Sequence, residues 1–148
     1  MIYRELPLSG AFLIEPDPAE DQRGFFARTF CPREFANRGL KTDVAQCSVS
    51  YTTKKGAVRG LHYQIPLAAE TKLVRCLRGA IFDVIVDLRR DSPTFGRHAG
   101  VTPSERSLHA LYVPEMFAHG FQTLTRGVEV LYQKSEFYAP GACARTSV

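Results

Sequence analysis

Lys72-Leu73-Val74-Arg75-Cys76-Leu77-Arg78-Gly79-Ala80-Ile81-Phe82-Asp83-Val84-Ile85-Val86-Asp87-Leu88 is the stretch that decides the fold class. Both halves are rich in apolar and β-branched residues and neither carries proline. Arg78-Gly79 divides them as a two-residue turn would. The stretch therefore reads as strands over residues 72–77 and 80–88, joined in a hairpin. That register sets Lys72 opposite Ile85, Val74 opposite Asp83 and Cys76 opposite Ile81, which makes Lys72 and Asp83 diagonal neighbours on one face. In the second strand Phe82, Val84, Val86 and Leu88 form a wholly apolar face, expected in the core. Ile81, Asp83, Ile85 and Asp87 form the opposite face, whose mixture of carboxylates and isoleucines suits the lining of a cavity. A half-exposed strand with a surface ion pair is the plainer alternative.

The same alternation recurs outward in both directions. Residues 11–15, 24–30, 44–51, 58–64, 108–113, 120–124 and 128–137 read as further short strands. Cys31 to Gly39 reads as a short helix near residues 32–38, with Pro32 suited to its first turn and Gly39 to its stop. About nine strands and one helix give an all-β chain, a sandwich or barrel. No repeat, low-complexity segment or linker divides it, so the 148 residues are expected to form a single domain.

Composition narrows the function classes. An apolar fraction of 45% supports one core, and 23% charged residues excludes a disordered or membrane-spanning composition. No apolar run reaches bilayer length, and Met1 to Leu6 lacks the apolar stretch of a signal peptide. A cytoplasmic location and no membrane partner are therefore expected. Cys31, Cys47, Cys76 and Cys143 show no metal-binding spacing and read as free thiols. The net charge of +4 can steer an anionic ligand, but no basic tract or nucleic-acid-binding motif accompanies it.

Chemistry concentrates in Arg59-Gly60-Leu61-His62-Tyr63-Gln64 and the strand that begins at Lys72. Imidazole is the side chain best suited to take a proton near neutral pH. A fixed ammonium beside it can hold the enolate formed when a proton leaves carbon next to a ketone. His119 lies among apolar residues and is expected in a buried or cleft position. Tyr132 alternates with Val128 and Val130 and should point inward; a core tyrosine with a satisfied hydroxyl is the bland reading. Strict alternation puts Arg59 and His62 on opposite faces, unless Gly60 permits a bulge that re-aims one of them.

At this point the chain resembles the dTDP-4-dehydrorhamnose 3,5-epimerase family. The matching residues are Asp21-Gln22-Arg23-Gly24-Phe25-Phe26, Gln46 with Ser50, Arg59 to Gln64, and Lys72-Leu73-Val74-Arg75. Asp83 through Arg89, Ser92-Pro93-Thr94-Phe95-Gly96, Pro114, Ala118-His119-Gly120-Phe121 and Tyr132 follow in family order. The resemblance implies a cupin-type jelly roll, a homodimer, a sugar-nucleotide substrate, and neither metal nor redox cofactor. It implies His62 as the base at sugar carbons 3 and 5, Tyr132 as the acid on the other face of the ring, and Lys72 as the cation at the carbon-4 oxygen. It places His119, Arg59, Arg23 and Gln46 among substrate-holding positions, with Arg23 in a segment that reaches the partner subunit. Asp83 is counted with the substrate-binding set.

Departures from the family pattern accompany the match. The chain ends at Val148, whereas the family continues and supplies an aspartate to the catalytic histidine; Asp83 is a candidate substitute, although the hairpin register leans it toward Lys72. Arg28 stands where the family typically has a glutamate, and Ser48 where asparagine is frequent. Two rival readings remain: a metal-binding cupin using His62, Gln64, Glu70 and His119, and a non-catalytic module that keeps the sugar-nucleotide pocket. Two histidines alone make a poor transition-metal site.

Overall fold

Strand alternation in this sequence produces two facing sheets, seen in a computed structural model that describes residues 1–146. The strands are β1 (Ile2–Glu5), β2 (Phe12–Glu15), β3 (Ala19–Asp21), β4 (Gly24–Phe26), β5 (Gln46–Thr52), β6 (Val58–Gln64) and β7 (Lys72–Arg78). They continue as β8 (Ile81–Asp87), β9 (His98–Val101), β10 (Ala110–Val113), β11 (Phe117–Thr123), β12 (Val128–Lys134) and β13 (Cys143–Arg145). One sheet has the order β1-β2-β10-β7-β12-β5, the other β13-β6-β11-β8-β9, and β3 with β4 makes a separate hairpin. From β5 to β8, and again from β9 to β13, each strand lies in the opposite sheet from the one before it. This is the jelly-roll path of a cupin, and the all-β expectation holds.

The expected 72–88 hairpin does not form. β7 pairs with β10 and β12, so both of its edges are occupied. β8 pairs with β11 and β9 in the facing sheet. The chain crosses between sheets at Gly79, whose φ of +78° turns it there. Asp83 consequently lies opposite Phe121 and Val101, and not beside Lys72. Two-residue turn chemistry is local, whereas the pairing of β7 is decided by strands more than thirty residues downstream.

The faces of β8 are also the reverse of the expectation. Ile81, Asp83, Ile85 and Asp87 are fully or almost fully buried, while Phe82 is 43% exposed. The main core joins Ile81, Ile85, Phe117 and Phe121 from one sheet to Val74, Cys76, Val128 and Val130 from the other. The carboxylates can turn inward because each has a partner for at least one oxygen, although the Asp83 Oδ2 has none among the described residues. Asp87 accepts hydrogen bonds from Arg89, Ser92 and Thr94, and Asp83 meets His119.

The helix forms where Pro32 and Gly39 predict, over Pro32–Ala36, followed by a turn in which the Leu40 amide donates to the Phe35 carbonyl. Phe35 is buried and meets Tyr3, Phe30 and Tyr112 edge to face, at centroid distances of 5.9, 4.9 and 5.9 Å. Together with Ile14, Leu40 and Leu73 they form a second core over the six-stranded sheet. Burying such a phenylalanine stabilises the fold by about 1.5–3 kcal/mol. The short strands β1, β3, β9 and β13 carry too few residues to show an alternation, and sequence reading passed over them.

Candidate active site

β6 and β11 approach one another unusually closely at two glycines. A Cβ on Gly60 would lie 2.5 Å from the Gly120 Cα and 2.9 Å from the His119 carbonyl oxygen. His119 pairs with His62 but Phe121 pairs with Arg59, so β6 holds one more residue than β11 across this step. That is the bulge expected from Gly60. It lets Arg59 and His62, three residues apart, both line one cleft of about 600 Å³. A cleft of this size suits a small-molecule ligand.

The five-stranded sheet brings Arg59, His62 and His119 to the cleft, and the six-stranded sheet brings Ser50, Lys72 and Tyr132. The Lys72 ammonium donates to the His62 carbonyl oxygen at 3.3 Å, and imidazole and ammonium line the same cleft, close enough for the Lys72 charge to act on the ring. Burial pushes the His62 imidazole below its ordinary value, and the positive charges of Arg145, Lys72, His119 and Lys134 push the same way. A neutral, proton-accepting ring is the outcome. Burial lowers the Lys72 ammonium as well, with Glu70 acting against it at 3.3 Å. Burial raises the Tyr132 phenol, opposed by its hydrogen-bond contact of 3.4 Å with Ser50, so the hydroxyl keeps its proton. Tyr132 stands on the wall opposite His62 and meets the His119 ring edge to face at 6.3 Å.

His119 is buried, and its Nε2 lies 2.6 Å from the Asp83 Oδ1. Among the described residues this is the carboxylate–imidazole pair; Asp83 serves His119, neither replacing an aspartate at His62 nor leaning on Lys72. Asp83 has no exposed surface and is not among the residues that line the cleft; its Oδ1 meets the cleft residue His119. The metal-cupin reading loses two of its four candidates. The Gln64 amide donates to the carbonyls of Ala68 and Phe137 and accepts from the Ala139 amide, while Glu70 is held between two lysines.

The sequence profile of the dTDP-4-dehydrorhamnose 3,5-epimerases matches residues 5–147. The chain belongs to this family. With it, the protein is an epimerase, an enzyme of the isomerase class. The dTDP-4-dehydrorhamnose 3,5-epimerase of Shigella flexneri is 42% identical over 140 residues, covering 94% of this chain and 76% of the relative. The crystal structure of the enzyme from Elizabethkingia anophelis superposes with a TM-score of 0.96 at 36% identity, covering 99% of this chain and 80% of the other. That of the Bacillus anthracis enzyme, with TDP and PPi bound, gives 0.94 at 39% identity, covering 98% and 83%.

Not every residue singled out in the epimerase sequence reaches the cleft. Arg23 sits at the tip of the β3–β4 hairpin, its side chain 86% exposed and paired with Asp21 at 2.5 Å. The Gln46 side-chain carbonyl accepts from the Tyr138 amide at 2.7 Å, so Gln46 holds the segment that carries Tyr138 into the cleft. Arg28 lies on the surface, 3.4 Å from Glu34. Lys134, Tyr138, Cys143 and Arg145 line the cleft and escaped the sequence reading. Lys134 was within reach of it, being two residues beyond Tyr132 and hence on the same strand face. Arg145 gave no signal, because β13 is three residues long.

Proposed function

We propose that His62 removes the proton from carbon 3, and in turn from carbon 5, of a nucleotide-linked 4-keto-6-deoxy sugar, with Lys72 holding the enolate oxygen at carbon 4. Tyr132 returns a proton to the opposite face of the ring, which inverts the centre. Each inversion leaves an imidazolium and a phenolate, which proton exchange with solvent resets before the next centre reacts. The substrate is of the dTDP-4-dehydro-6-deoxyglucose type, and no redox step is needed because a proton leaves and a proton returns. Support comes from one observation above all: an imidazole and a phenol on facing walls, with an ammonium 3.3 Å from the base's own backbone oxygen. Inversion requires a base and an acid on opposite faces, and an enolate requires a fixed positive group, worth on the order of 3 kcal/mol. Arg59, steadied by the Thr52 hydroxyl at 2.9 Å and the Tyr51 carbonyl at 3.2 Å, offers a guanidinium to the diphosphate, and His119 holds the sugar.

The deciding experiment is deuterium wash-in at carbons 3 and 5, followed by NMR in D2O with a chelator present. His62→Ala should abolish exchange at both carbons; exchange at the parental rate would remove His62 as the base. Tyr132→Phe should slow completed inversion more than first exchange, and equal loss of both would remove Tyr132 as the acid. Binding without exchange in the parent chain would favour the non-catalytic reading.

The epimerase acts as a homodimer in this reading, with Arg23 delivered to the partner's cleft. The exposed β3–β4 hairpin supports it, since Phe25 and Phe26 are 57% and 80% exposed beside Arg23. Light scattering should give twice the 16.5 kDa chain mass, and a monomer at micromolar concentration would sink the dimer. Free thiols at all four cysteines fit a reducing cytoplasm. Among the described residues no helix is long and apolar enough to cross a membrane. Recovery of the protein with a membrane or periplasmic fraction would contradict that location.

A further inference from the structure

Glu70 is the one acidic side chain among the described residues that line the cleft. Its side chain is 3% exposed. Oε1 lies 3.3 Å from the Lys72 Nζ and Oε2 lies 3.9 Å from the Lys134 Nζ. Among the described residues Oε2 has no hydrogen-bond partner. Burying a carboxylate with half its acceptors unsatisfied is costly for the fold. Asp83 is buried with one free oxygen as well, but Glu70 differs from it in lining the cleft between two lysines.

Lys72 explains the placement. An ammonium has three N–H donors. One goes to the His62 carbonyl at 3.3 Å, and the Glu70 Oε1 stands 3.3 Å from the same nitrogen as its ion-pair partner. The hydrogen bond and the ion pair together limit how the ammonium can turn, which leaves an N–H free for a ligand. The other charged and titratable groups facing Lys72 are Lys134 from β12, His62 from β6 and Cys143 from β13, with Arg145 and His119 beyond them. Apart from the Cys143 thiol, those neighbours are cationic or can become so, and Lys72 is itself buried.

We propose that Glu70 is a positioning residue for the epimerisation: it keeps Lys72 an ammonium inside a cationic cleft and aims the remaining N–H at the carbon-4 oxygen. The inference rests on the role given to Lys72 above. Lys72 and Lys134 share the one carboxylate, so Lys134 competes for it.

The test is the pH dependence of deuterium wash-in at saturating dTDP-4-dehydro-6-deoxyglucose. Replacing Glu70 by neutral Gln removes the one carboxylate beside Lys72 among the described residues, so Lys72 loses its proton at lower pH. Glu70→Gln should move the alkaline limb down by about one unit or more, as loss of an opposite charge at this distance does. The loss of rate should be roughly tenfold near pH 9 and smaller near pH 7, with KM nearly unchanged. A purely structural role would lower the melting temperature and leave the limb in place, and that result overturns the proposal. Glu70→Asp withdraws the carboxylate by one methylene and should give a smaller downward shift. Should Glu70→Gln fail to fold, the Asp variant carries the test, and a parental limb in it overturns the proposal. Lys72→Gln separates the two levels. Exchange at the parental rate in that variant removes Lys72 from the chemistry, whereas lost exchange there with a parental limb in Glu70→Gln overturns the Glu70 assignment alone.

Discussion

Gly60→Ala is the smallest substitution that tests how this fold builds its site. The added methyl carbon would stand 2.5 Å from the Gly120 Cα and 2.9 Å from the His119 carbonyl, both backbone atoms that cannot rotate away. Ordinary contact begins near 3.4 Å, so β6 must move from β11 by about 1 Å. Overpacking of this kind costs about 1–3 kcal/mol. Holding a side chain at the Gly60 φ of +124° costs about 1–3 kcal/mol more. The sum is a destabilisation of about 2–6 kcal/mol. Chemistry should suffer separately, because His62 and Arg59 ride on the displaced strand, and a 1 Å misplacement is worth about 100-fold in rate. Gly56→Ala supplies the control: its φ is +79° but nothing lies within 4 Å of the added carbon, so only about 1–2 kcal/mol is expected. Urea unfolding and deuterium wash-in at saturating substrate measure both effects. If Gly60→Ala matched Gly56→Ala in stability and kept its exchange rate within about threefold, the close approach of the two strands would not be what sets the site.

The lowered His62 value predicts that exchange persists below the ordinary imidazole range near about 6.5, because the base stays neutral there. Arg145→Ala removes one of the charges behind that shift and should move the acid limb of the rate profile upward; an unmoved limb would show that Arg145 contributes nothing to it. Stability should fall in acid through Asp87. Burial works against its charge, yet hydrogen bonds from Arg89, Ser92 and Thr94 outweigh it and hold the carboxyl well below the usual range. A depressed folded value means stabilisation present above the unfolded value of about 3.9 and lost as pH falls below it. Urea midpoints at pH 7, 4 and 3 should therefore fall more steeply for the parent than for Asp87→Asn, and parallel profiles would contradict the assignment.

Much of this was legible along the chain. The strand signals at 44–51, 58–64 and 128–137 and the Pro32–Gly39 helix signals gave the element types, because backbone periodicity and caps are local. The inward direction of Tyr132 followed from the same alternation, and the Gly60 bulge from the conflict between Arg59 and His62. The faces of β8 could not be read this way. An apolar stripe of Phe82, Val84 and Val86 against an Asp-bearing stripe predicts the wrong side, since inside or outside depends on whether Asp83 and Asp87 find partners. Those partners are His119, thirty-six residues away, and Arg89, Ser92 and Thr94 in a loop that shows no regular pattern.

By itself, the sequence determined an all-β chain, its family, and the residue types able to move a proton beside a ketone. Only the tertiary structure decided which of them meet. It separated β7 from β8, gave Asp83 to His119, set Glu70 between Lys72 and Lys134, and carried Arg23 and Gln46 away from the cleft. The reason is physical: each strand's partner is chosen by competition among all strands for two edges and one buried face. That competition is settled over the whole chain, and no window of sequence contains it.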